Sequence, residues 1–193
     1  MKRLANIRLA NILVAAALAP VVGWAQTVGN ETRTDASSTP SAAAIPEYAM
    51  KATYLYNFMV YTQWPNRNAP AGTPMTLCIL GPDPFGSAMA NLKRKSINGA
   101  PLTVSVINSL EGVRKCRLLY VTERESGNIE SVLRQVADAP VLTVAESPAG
   151  SNAAIQLALD GQRLVFDVNQ SQLRKASLTL SSKVLHLARE VTH

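Results

Sequence analysis

The sequence is poor in the residue types from which most active sites and metal sites are built. Its 193 residues include two cysteines and two histidines, and 5 % are aromatic. Neither histidine, His186 nor the terminal His193, has a nearby residue that would make it a general base, since such a base needs a positioned nucleophile or metal. No G-x-S-x-G, H-E-x-x-H or G-x-G-x-x-G is present. Two thiols with no histidine close by do not make a structural zinc site. The turn "GPDPFGS" has the two glycines of a phosphate loop, Gly81 and Gly86. It has Ser87 where that loop needs lysine, and its two prolines remove backbone donors. Glu146, Asp160 and Asp167 fall at strand ends and a hairpin turn, where carboxylates are ordinarily local hydrogen-bonders. These absences predict a protein with no catalytic residues, no metal and no cofactor.

Long apolar runs are also missing. The longest, Ile12–Val22, is well short of the roughly 20 residues a spanning helix needs. It follows Lys2, Arg3 and Arg8 and precedes the small residues Gly23 and Ala25, the layout of a secretory signal peptide cut after Ala25. No cysteine follows it, so a lipoprotein is not expected. Export to the periplasm is the predicted destination. Without residues 1–25 the chain keeps 16 basic against 13 acidic residues, a net charge of +3. The longest basic run, Lys93–Lys95, reads as a solvated loop and not as a nucleic-acid patch. Residues 26–46 have almost no large apolar side chains and read as a disordered leader. Residues 47–193 suffice for one domain with its own core.

An even cysteine count in an oxidising compartment points to one bridge, Cys78–Cys116, with two buried free thiols as the alternative. The chain between and around them alternates. Residues 47–62 have helical periodicity. "MTLCILG" (75–81), "PLTVSVI" (101–107), "RLLYVT" (117–122) and "PVLTVAE" (140–146) read as buried strands, with helical segments between them. Asp83 and Pro84 are placed to cap and start the first of these helices. The pattern predicts an α/β fold: a mainly parallel open sheet of flavodoxin/Rossmann-like order with helices on both faces. In the order 2-1-3-4 the first and third strands adjoin, which would bring the two cysteines together. "AAIQLALDGQRLVFDV" is a β-hairpin around Asp160-Gly161, adding an antiparallel edge. "SSKVLHLAREV" reads as a terminal helix with Val184, Leu185, Leu187, Ala188 and Val191 facing inward.

Six of the ten aromatic residues crowd into Tyr48–Trp64. Tyr48, Leu55, Tyr56 and Met59 would anchor the first helix to the sheet. That leaves Tyr54, Phe58, Tyr61 and Trp64 as a candidate protein-binding surface, because Tyr and Trp are enriched at hot spots. The crevice at the carboxyl ends of the strands, near Asp83, Phe85 and Glu146, is the candidate ligand site.

"MKATYLYNFMVYTQWP", "LCILGPDPFG", "LVFDVN" and "ASLTLSSKVLHLA" together resemble the YfiR family of periplasmic proteins, over about residues 48–190, with Asn169, Ser181, Ser182 and Lys183 fitting its closing pattern. The resemblance implies a regulator and not an enzyme: a repressor of a membrane-bound diguanylate cyclase. It would bind the periplasmic part of that inner-membrane enzyme and so lower cyclic di-GMP and biofilm formation. It also implies a possible outer-membrane lipoprotein partner, a homodimer, and a structural Cys78–Cys116 pair. A second disulfide pair found in some members has no counterpart here. A periplasmic small-molecule-binding sensor is the alternative, and an exported enzyme a distant third.

Overall fold

The computed structural model describes residues 44–65, 72–146 and 152–193. The predicted signal peptide, and the leader as far as residue 43, lie outside these residues. Helix α1 (Ala44–Val60) starts ahead of the predicted Glu47 and holds Pro46 in its first turn, where a missing N–H costs nothing. Two-residue strand β1 (Thr62–Gln63) follows. Then come β2 (Met75–Leu80), α2 (Ser87–Leu92), β3 (Ser96–Ile97) and β4 (Ala100–Ile107). A 3-10 turn at Val113–Lys115 leads to β5 (Leu118–Val121), and a second at Glu123–Asn128 leads to α3 (Ile129–Gln135) and β6 (Leu142–Glu146). The chain closes with β7 (Ile155–Asp160), β8 (Arg163–Asn169), α4 (Gln170–Lys175), β9 (Thr179–Leu180), α5 (Ser182–Leu185) and β10 (Glu190–Thr192).

The main sheet runs β10-β8-β7-β6-β5-β2-β4-β3, and β1 pairs with β9 in a separate ribbon. The predicted 2-1-3-4 order is present as β4-β2-β5-β6, all parallel. The hairpin β7–β8 turns after Asp160, which pairs with Arg163. β7 joins β6 in parallel over only Val144–Glu146, so the rest of the hairpin extends beyond the end of β6.

Three local expectations are corrected. The hairpin is not the edge, because β10 adds in parallel outside β8. The terminal helix is only α5. Beyond it the Arg189 N–H donates to the Phe166 carbonyl, and β10 covers an edge of β8 whose backbone groups would otherwise lack partners. Val184 is buried as expected, but Leu187 is 75 % exposed. Asp83 caps a turn and not α2: its Oδ1 accepts from the Phe85 N–H at 2.8 Å, and the helix starts at Ser87, after Gly86 and not at Pro84.

Alternation along the strands divides the core. Leu77, Ile79, Leu118, Tyr120, Leu142 and Val144 face α1, α2, α4 and α5. Cys78, Leu80, Leu119, Val121 and Ala145 face α3 and the 3-10 turn. Helices therefore cover both faces, as the apolar runs require. Cys78 and Cys116 form a disulfide with Cα atoms 5.8 Å apart. Gly81 ends β2 at φ +93°, and a Cβ there would lie 2.6 Å from Thr122 Oγ1 and 2.8 Å from Glu125 Cγ. Only glycine fits both that conformation and that space.

Candidate functional site

Lys51 is the anomaly of α1, its one lysine, at 6 % exposure among largely apolar and aromatic neighbours in the helix. Helical spacing sets it one turn after Glu47, and Nζ lies 2.5 Å from that carboxylate. Across the sheet it meets Glu146, the last residue of β6, also at 2.5 Å. Strand register aims Glu146. Tyr120 of β5 pairs with Val144, and Glu146, two residues on, emerges on the same face. The Tyr120 hydroxyl donates to Glu146 Oε1, and the Glu123 N–H donates to Oε2 at 3.1 Å. Lys51 Nζ also sits 4.4 Å above the Tyr48 ring. Phe85 packs at 5.5 Å on Tyr48 and 5.0 Å on Tyr120, closing the apolar side.

Burial holds the Tyr120 hydroxyl far above the usual phenol range, reinforced by the negative charge of Glu146. Tyr48 is raised for the same two reasons in the same order. For Lys51, burial alone would depress the ammonium, but hydrogen bonds to Glu146 and Glu47 outweigh it and its pKa is raised. Tyr120 is thus held neutral and Lys51 cationic. Both Glu146 oxygens are occupied, and the group as a whole is mutually satisfied.

This network floors a cleft of about 980 Å³ at the carboxyl ends of the strands. Its far wall is the projecting hairpin and β10, with Asp167 and Arg189 joined by an ion pair. Of the predicted crevice residues, Glu146 lines the cleft and Phe85 is packed beneath it. Asp83 is exposed and engaged in its own turn. Among the described residues no cluster of three His, Cys, Asp or Glu side chains could hold a metal. Sequence reasoning missed Lys51 and Tyr120. The visible signal was a lysine placed i, i+4 from Glu47 inside an apolar helix.

The aromatic surface is smaller than predicted. Phe58 is 1 % exposed and packs on Tyr54 and Phe166, so it belongs to the core. Tyr54 is half-buried on the same cluster. The hairpin, which supplies Phe166, encloses this side of α1. Tyr61 stays 41 % exposed, and half-buried Trp64 lies beside Arg117, whose guanidinium is 6.0 Å from its ring. Tyr61, Trp64 and Arg117 line a second cleft of about 730 Å³ at the opposite end of the sheet from Glu146. Tyr48, Leu55, Tyr56 and Met59 pack against the core as expected.

The closing motif does local structural work. Asn169 Oδ1 accepts from the Gln172 N–H and caps α4, and Ser181 Oγ accepts from the Lys183 N–H at the start of α5. Residues 48–189 match the family described as YfiR/HmsC-like. The chain belongs to the YfiR/HmsC-like family. YfiR/HmsC-like proteins are periplasmic and regulatory, not catalytic. No curated protein matches the chain. Two solved structures are similar at low level. One is a conserved domain protein from Vibrio cholerae O1 biovar El Tor strain N16961: 11 % identity, TM-score 0.48, covering 75 % of this chain and 60 % of that one. The other is an ABC domain in complex with L-Trp from Streptococcus pneumoniae: 8 % identity, TM-score 0.44, covering 62 % of this chain and 55 % of that one. This YfiR/HmsC-like chain thus spans less than two thirds of either. Among the described residues no helix is long and apolar enough to cross a membrane.

Proposed function

We propose that this protein binds the periplasmic part of an inner-membrane diguanylate cyclase and holds it inactive, lowering cyclic di-GMP and biofilm formation. The observation that carries this reading is the family match across residues 48–189. The exported character of residues 1–25 and the Cys78–Cys116 bridge support it. Repression works by differential affinity, since a ligand moves an equilibrium only toward the state it prefers. The half-exposed aromatics Tyr61 and Trp64, with the Arg117 guanidinium beside them, supply the contact surface. An outer-membrane lipoprotein competing for the repressor would release the cyclase. The test is deletion of the gene in its host with measurement of cellular cyclic di-GMP. A rise, reversed by the wild-type gene, is expected, and unchanged levels would refute the role.

A second reading, a periplasmic small-molecule sensor, is favoured by the cleft of about 980 Å³ above Glu146. A thermal-shift screen of the purified chain against periplasmic metabolites separates the two. Stabilisation by one compound class, abolished by substitution at Asn152 or Arg189 in the cleft wall, supports the sensor.

A further inference from the structure

The two clefts at opposite ends of the sheet differ in charge. Among the described residues, five carboxylates and two cations line the cleft above Glu146, whereas Arg117 is the one charged residue lining the other. Arg117 is half-buried. Its guanidinium has no ion pair and no side-chain hydrogen bond among the described residues, and lies beside the Trp64 ring at 6.0 Å. Trp64 Nε1 is the single buried side-chain nitrogen or oxygen among the described residues without a hydrogen-bond partner. A buried donor left unpaired is destabilising, and folded proteins keep few of them. The cleft thus holds an uncompensated cation and a spare N–H side by side.

The backbone fixes both groups. The Arg117 N–H donates to the Thr76 carbonyl at 2.8 Å, and the Arg117 carbonyl accepts from the Leu142 N–H at 2.8 Å, so the residue is held between β2 and β6. Cys116, next to it, is tied to Cys78. β1 pairs with β9 immediately before Trp64, and the Ser181 N–H donates to the Tyr61 carbonyl at 2.9 Å. Tyr61, 41 % exposed, forms the rim. Anchoring the binding groups before a partner arrives lowers the ordering cost of association.

We infer that this cleft receives an aspartate or glutamate side chain from the periplasmic part of the proposed cyclase partner. The inference rests on the proposed function and supplies the chemistry of its contact. The carboxylate accepts from the Arg117 guanidinium, whose fork of donors matches its two oxygens. A small rotation of Trp64 toward the cleft lets Nε1–H donate to the same carboxylate, which gives that donor its partner. Tyr61 covers the aliphatic stem and excludes water from the pair, which strengthens it. Charge sets the sign of the occupant. A cationic group would meet Arg117 with no carboxylate to offset it. An apolar plug would bury the guanidinium and the indole N–H with neither paired.

The test titrates the chain isolated from the periplasm with the periplasmic domain of the proposed cyclase. Trp24 lies in the predicted signal peptide, so Trp64 is the one tryptophan of the exported chain, and fluorotryptophan labelling gives a single fluorine NMR signal from the cleft. That signal is expected to shift on binding. Arg117→Gln is expected to weaken binding at least tenfold and to flatten its salt dependence, with Arg117→Lys between it and wild type. Arg117→Glu is expected to abolish binding, and one acid-to-lysine change in the domain to restore it. Trp64→Phe keeps an aromatic ring and removes the unpaired N–H. It is expected to bind several-fold more weakly yet melt no lower than wild type, a separation that a merely structural Trp64 would not give. A domain that binds Arg117→Glu as tightly as wild type, or that binds without moving the Trp64 signal, overturns the inference and leaves the proposed function standing. A wild-type chain that does not bind the domain refutes both. If glutarate moves the signal at micromolar concentration and the domain does not, the cleft is a metabolite site and the inference is overturned.

Discussion

Replacing Lys51 by methionine keeps most of the side-chain volume and removes the ammonium shared by Glu47 and Glu146. Lys51 and Glu146 are 6 % exposed each, and their contact is 2.5 Å. In the variant, Glu146 keeps the Tyr120 hydroxyl and the Glu123 N–H but loses its counter-charge. Removing one partner of a buried pair costs about 3–5 kcal/mol, because the other charge is left buried and uncompensated. For a domain of this size that corresponds to a fall in Tm of roughly 10 °C or more. Urea unfolding of wild type, Lys51→Met, Glu146→Gln and the double variant reads the coupling directly, with the slope expected to stay constant. The double variant should cost well below the sum of the single ones. Glu47→Gln, at the more open end of the network, should cost about 1 kcal/mol or less. Alkali provides a second arm. Tyr120 and Tyr48 hold their protons in the folded protein while the unfolded phenols ionise near the ordinary value of 10.0. Lys51, raised above 10.5, contributes fully below that value and loses its contribution as the pH passes its folded pKa. In each case the folded state binds more protons, so stability must fall as pH rises above about 10. A Lys51→Met cost under about 1 kcal/mol, or stability that is flat into alkali, would refute the network's role.

Reduction of Cys78–Cys116, or Cys78→Ala, should destabilise by about 4 kcal/mol for a sequence separation of 38, seen as a lower melting temperature under reductant. Gly81→Ala should cost at least about 1–3 kcal/mol, read by the same melts, because its positive φ and the Thr122 and Glu125 contacts both oppose a Cβ. Phe58→Ala and Tyr61→Ala should part company. The first should lose about 3–5 kcal/mol of stability. The second should melt like wild type yet capture less of the periplasmic domain of the proposed cyclase partner in a pull-down.

Much of the scaffold was legible because apolar runs with punctuating Gly and Pro leave few alternatives. "MTLCILG" and "RLLYVT" read as buried strands, and their adjacency followed from the 2-1-3-4 order expected of such a sheet. The Asp160-Gly161 turn declared its own hairpin. The C-terminus misled because Val184, Leu185 and Leu187, Ala188 fit a helical stripe, and no local signal reveals that β8 leaves an edge needing a partner. Intrinsic propensity is a weak prior against such a demand. The aromatic surface was overdrawn for a related reason. Phe166 lies over a hundred residues from Phe58, and only the folded hairpin shows that it encloses that side of α1. In the site, Glu146 was visible as a polar end to an apolar strand. Its lysine was not, because α1 and β6 meet only in three dimensions.

The disulfide has a topological consequence. Cys78 and Cys116 tie a closed loop that contains α2, β3 and all of β4, and that loop carries the exposed triplet Lys93–Arg94–Lys95. A trypsin-like protease cutting there would nick the chain without releasing either piece. The two fragments would migrate as one species until a reductant separated them, and the lasso would hold β3 and β4 on the sheet through damage that would dismember an uncrosslinked homologue.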